Sequence, residues 1–219
     1  YNCRFINTDI SGFSRGSSSI ELINNKLLNS NLLFSGNDDS LIIKDNQFDT
    51  SSISMSGTGN TRIYAVITEN TFSNCSPAIH CGGTGNLYVE TIIERNDFNR
   101  AGIRLGGTGE ASVKTTIKNN TFEGGGKKRK GVECSGTGYC VVSTMIDSNR
   151  FYGANFSIGG TGKFLVNADL YRNIFTEFPG SAISLRRISM ANYSCNLANN
   201  TIVGNQAGVH YSNVGGLII

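Results

Sequence analysis

The sequence predicts an all-β chain wound into one parallel solenoid. Three observations carry that prediction: an internal repeat of nearly fixed register, a turn–strand–corner order inside each repeat, and an asparagine that recurs once per repeat. The clearest copy runs from Gly107 to Phe122 and reads GTGEASVKTTIKNNTF. It opens on a Gly-Thr-Gly turn and continues as a strand with Val113, Thr115 and Ile117 on one face. It ends in a corner, Asn120-x-Phe122. Similar segments begin at Gly57, Gly83, Gly136 and Gly160. In each, the turn threonine is followed five positions later by an inward residue: Ile63, Val89, Val113, Val142 and Val166. Nine positions further on stands a phenylalanine: Phe72, Phe98, Phe122, Phe151 and Phe175.

The elements follow in order. Residues 1–50 form irregular first coils, in which Phe5 and Leu27 take the corner position and the next coil ends on Asn46-x-Phe48 with a shortened turn at Ser35 to Asp39. Residues 51–185 are the regular coils. Terminal coils fill 186–219, where Arg186-Arg187-Ile188-Ser189 replaces Gly-Thr-Gly, yet Leu185 to Tyr193 keeps the interval of Leu105 to Val113. About nine coils result, at corner spacings of 21 to 29 residues, and they form one domain, 1–219. The first residue is Tyr1, so the chain reads as part of a longer one. Each corner is followed by a short second strand with inward pairs such as Ile79/Cys81, Ile103/Leu105 and Val132/Cys134. Stacked at about 4.8 Å per coil, the rod is roughly 45 Å long.

The column Asn25, Asn46, Asn70, Asn96, Asn120, Asn149, Asn173, Asn200 predicts an internal ladder of amides, each donating to and accepting from its neighbours. The phenylalanines beside it predict a stack inside the corner. Composition agrees: 27 Gly and 2 Pro among short apolar strands suit many turns, and only 16% of residues are charged. A net charge of +3 is too small to call for a specific nucleic-acid partner, and no apolar run is long enough for membrane insertion. Of the six cysteines, Cys81, Cys134 and Cys195 fall on inward positions and read as small hydrophobes. Bridges Cys75–Cys81 or Cys134–Cys140 remain an alternative.

Repeats of the form I-x-x-N-x-F followed by a short I-x-L strand resemble the right-handed parallel β-helix proteins of the pectate-lyase-like superfamily, over nearly the whole chain. The resemblance implies a single-stranded right-handed β-helix. It leaves function open, because that fold carries lyases, hydrolases, epimerases, tailspikes and adhesins. The catalytic signatures of its enzymes are not matched. Asn7-Thr8-Asp9 and Asp38-Asp39 stand at the wrong intervals for a polygalacturonase site, His80 lies in Ile-His-Cys, and Asp38-Asp39 suits a turn end.

The register points to three candidate sites. On the second strand His80, Arg104 and Glu133 point outward on consecutive coils. An imidazole, a guanidinium and a carboxylate in line could bind an acidic sugar or abstract a proton; as a solvated ladder, Arg104 would simply pair with Glu133. On the first strand Val66, Ile92, Thr116 and Met145 form an apolar outward column that calls for a cover. The cover would be further copies of the rod, as in a homotrimer, or neighbouring structural subunits. Lys127, Lys128, Arg129 and Lys130 follow three glycines and form a basic loop suited to a polyanion. No metal or cofactor is implied. The expectation is a structural or adhesive rod, extracellular, on a cell surface or on a virion surface, contacting surface polysaccharide. The alternative is a polysaccharide lyase, glycoside hydrolase or uronate epimerase working at an outward face.

Overall fold

A computed structural model of the chain describes residues 2–12, 17–57, 59–124, 131–187, 192–212 and 216–218. It is a parallel β-solenoid of three sheets, each nine strands wide. One coil shows the plan: a corner strand Asp97–Asn99, a narrow strand Ile103–Leu105, the Gly-Thr-Gly turn, and a broad strand Ala111–Lys118. The corner sheet runs from Arg4–Ile6 to Thr201–Val203, the narrow sheet from Ile10–Gly12 to Ala207–Ser212, and the broad sheet from Ser19–Ile23 to Gly216–Ile218.

The broad strand is long because its alternation is unbroken. Ala111, Val113, Thr115 and Ile117 are buried, and Ser112 and Lys114 face out. Each broad strand of the regular coils begins two residues before the first inward residue of the sequence repeat, which adds the buried Leu87, Ala111, Cys140 and Phe164 to the core.

The corner is held by side chains rather than by a turn sequence. The residue before each ladder asparagine is left-handed, including Glu69 (φ 59°), Arg95 (φ 54°) and Arg172 (φ 53°). That conformation costs a residue with a Cβ about 1–2 kcal/mol, and the ladder offsets it. Asn96 donates its side-chain amide to Asn120 Oδ1 (3.0 Å) and to the carbonyls of Ile67 and Glu94, and its backbone N–H donates to the same Oδ1 at 2.9 Å. The pattern runs from Asn25 to Asn200. Next to it Phe48, Phe72, Phe98, Phe122, Phe151 and Phe175 stack face to face at 4.5–5.0 Å.

The irregular coils keep register. Phe5 pairs with Leu27, Ile158 with Leu185, and Val166 with Tyr193. Asp38 is left-handed at the end of its turn, while Asp39 is buried at the start of a broad strand and accepts a hydrogen bond from Ser18. The inward cysteines pack as small hydrophobes and neither alternative bridge is formed: all six thiols are free, five of them buried. Burial pushes the Cys81 thiol up to about 12, so it stays protonated and packs as a hydrophobe.

Candidate functional site

The outward face of the narrow sheet carries the predicted line. Parallel pairing sets His80 beside Arg104 and Arg104 beside Glu133, with Ser54 before them and Ser157 after. Arg104 Nη2 stands 3.4 Å from Glu133 Oε2, with the arginine half exposed and the glutamate largely covered. Half-buried His80 has its pKa lowered, first by burial and then by the charge of Arg104, so its imidazole is neutral at neutral pH. His80 and Glu133 are two coils apart, roughly 10 Å at the backbone, with Arg104 between them. A proton relay needs its groups within hydrogen-bond reach. The line therefore offers a neutral base, a cation and a carboxylate in series, not a hydrogen-bonded triad.

Beside this line lies a groove of about 870 Å³ running along the rod from Leu33 to Thr161. Its floor is the Gly-Thr-Gly turn stacked coil on coil. A Cβ on Gly83 would sit 2.4 Å from the Gly57 carbonyl oxygen, and one on Gly107 would sit 2.3 Å from that of Gly83. Only glycine lets the turns approach this closely. The backbone ladder then continues through the turn, with the N–H groups of Thr84, Thr108, Thr137 and Thr161 each donating one coil back at 2.9–3.0 Å. These threonines line the groove together with His80 and Arg104. The stacked turns are thus more than scaffold, because they also floor this groove. No Asp or Glu lines it among the described residues.

The apolar column is where the register puts it. Val66, Ile92 and Met145 are 39%, 41% and 40% exposed, and Thr116 between them is half-buried. Ile42 extends the column at one end, and Asp169, accepting a hydrogen bond from Asn196, closes the other. The flanking columns hold the ion pairs Lys114–Glu90 (2.7 Å) and Lys118–Glu94 (3.2 Å). Thr68, at the end of one of these columns, is buried. Lys127, Lys128, Arg129 and Lys130 lie outside the described residues. Among the described residues no cluster of His, Cys, Asp and Glu could hold a metal ion. No family model matches the chain, and no curated protein matches it.

Proposed function

We propose that the chain is a structural rod of a cell or virion surface that holds a linear polysaccharide along its glycine-floored groove. The observation that supports this most is the groove's repetition: it follows the rod axis and is lined by a threonine on each of four consecutive coils, Thr84, Thr108, Thr137 and Thr161, about 4.8 Å apart. A repeating surface of that kind suits a repeating ligand. Half-exposed Arg104 adds a guanidinium for a sugar carboxylate. The form of the repeat favours a pectate-lyase-like ancestry of the tailspike or adhesin kind. The lining carries no carboxylate among the described residues, whereas most glycoside hydrolases use a facing pair.

A second reading, a lyase, hydrolase or epimerase for an acidic polysaccharide, is favoured by one observation: His80 stands beside a guanidinium and is kept neutral, so its imidazole has a nitrogen free to accept a proton. One experiment separates the two. The chain is run through affinity gels cast with polygalacturonate, alginate and bacterial capsular polysaccharides, and the same mixtures are assayed for unsaturated products and new reducing ends. The expected result is retardation without products, with affinity weakened about tenfold by Arg104→Ala, the loss of one charged hydrogen bond. Products that vanish in His80→Ala would put the enzyme in place of the rod. Absence of any retardation would remove the polysaccharide contact.

The same proposal has the Val66–Ile92–Met145 column covered by further copies of the chain. Sedimentation is then expected to show an oligomer, a homotrimer being the form the tailspike likeness suggests, and Ile92→Glu should release monomers. A wild-type chain that sediments as a monomer at high concentration refutes self-assembly.

A further inference from the structure

Past the stacked Gly-Thr-Gly turns, where the broad strands begin, lies a second cleft of about 560 Å³. Its wall is the second residue of successive broad strands: Arg62, Tyr88, Ser112 and Val141 pair in register. Its rim is the residue just before each strand. Asn60, Asn86, Glu110 and Tyr139 stand there on consecutive coils, because Thr61, Leu87 and Ala111 each donate a backbone N–H to the rim residue of the next coil. The two tyrosines are thus two coils apart, roughly 10 Å along the rod, with Ser112 and Glu110 between them.

These groups are prepared for a ligand in different ways. Tyr88 is held: its hydroxyl donates to Glu90 at 2.9 Å, the Arg62 guanidinium lies 5.8 Å from its ring centre, and the Tyr64 ring is 6.0 Å away. A ring fixed before binding loses little freedom when it binds. Tyr139 instead presents its ring to solvent, 59% exposed. Asn86 donates its side-chain amide to Asn60 at 3.1 Å, which aligns two amides on the rim. An aromatic platform with amides, a hydroxyl and a carboxylate around it is the chemistry that recognises a sugar. The C–H face of a pyranose packs on the ring, and its hydroxyls pair with the amides and the acid.

Charge chooses among sugars. Arg62 is balanced by Asp38 at 3.4 Å, and exposed Glu110 adds a negative charge. An acidic saccharide, a phosphate or a nucleic acid would meet net repulsion here. A proline-rich peptide also favours aromatic grooves, but in this cleft amide, hydroxyl and carboxylate groups outnumber aromatic ones. From Asp38 to Tyr139 the cleft is long enough for several sugar rings in line.

We infer that the Tyr88–Tyr139 cleft is a binding site for a neutral, unbranched oligosaccharide stretch, separate from the groove that holds His80 and Arg104. The site shares a ligand class with the groove reading and none of the residues tested for it.

The test is calorimetric titration of the whole chain with neutral hexasaccharides of glucose, mannose and N-acetylglucosamine, with hexagalacturonate, and with a proline-rich peptide. At least one neutral hexasaccharide should bind. Tyr139→Ala should weaken it about tenfold, the worth of one aromatic contact, while Tyr139→Phe and Arg104→Ala leave it unchanged. Tyr139 is exposed, so neither substitution disturbs the core. The inference is overturned if no neutral hexasaccharide binds, if Tyr139→Ala leaves the affinity intact, if Tyr139→Phe loses it, or if only the peptide or hexagalacturonate binds. A loss confined to Arg104→Ala would support the groove and refute the cleft.

Discussion

Replacing Asn120 by alanine is expected to lower the unfolding free energy by about 4 kcal/mol, read by denaturant titration. Asn120 Oδ1 accepts from the backbone N–H and the side-chain amide of Asn96, and its own amide donates to the Ile93 and Lys118 carbonyls and to Asn149 Oδ1. Some of these partners keep a second bond: Asn96 retains the Ile67 carbonyl, and the Lys118 carbonyl retains the Arg95 N–H. The Asn96 N–H has no substitute in a fully buried corner, and the Ile93 carbonyl loses a donor there. Each orphaned buried group costs about 1–3 kcal/mol, and the sum of two sets the magnitude. Asn119→Ala, one residue earlier and exposed, is the control and should cost less. A loss below about 1 kcal/mol for Asn120→Ala, less than a single orphaned group, would show that the ladder does not fix the corner.

Gly107→Ala is the second large effect. Its Cβ would lie 2.3 Å from the Gly83 carbonyl oxygen and 2.8 Å from the Gly83 nitrogen. These are backbone atoms, and that oxygen accepts from Thr108 N–H at 2.9 Å. The turn must move away and give up the bond. Overpacking and a broken buried hydrogen bond together cost about 3 kcal/mol, or a fall in Tm of about 6–12 °C for a chain of this size. Gly59→Ala has nothing within 4 Å of the new Cβ and should melt like the wild type. Equal melting of the two variants would mean that the turns are not close-stacked.

The fold was legible because a solenoid turns sequence spacing into contact. Each residue's neighbour is the residue one coil away, so aligning Ile63, Val89, Val113, Val142 and Val166 also wrote the broad-sheet pairing. Even Arg186-Arg187, where the turn motif is lost, did not hide the register of Leu185 and Tyr193. The line His80–Arg104–Glu133 was legible for the same reason. The cleft was not. Tyr88 and Tyr139 fall between the Gly-Thr-Gly motif and the first inward residue, a stretch where the repeat fixes no residue type. The available signal was an aromatic breaking a rim column otherwise of Asn60, Asn86, Glu110 and Lys163. The groove escaped notice because its depth comes from side chains that glycine lacks.

The direction of the backbone hydrogen bonds has a mechanical consequence. In all three sheets they point along the rod axis, because strands of successive coils pair side by side. Tension applied end to end loads each bond along its own length, and the interface between two coils carries the whole force, so the rod yields by peeling, one coil at a time. Sideways bending must instead stretch one sheet and compress another, which makes the same rod stiff as a strut.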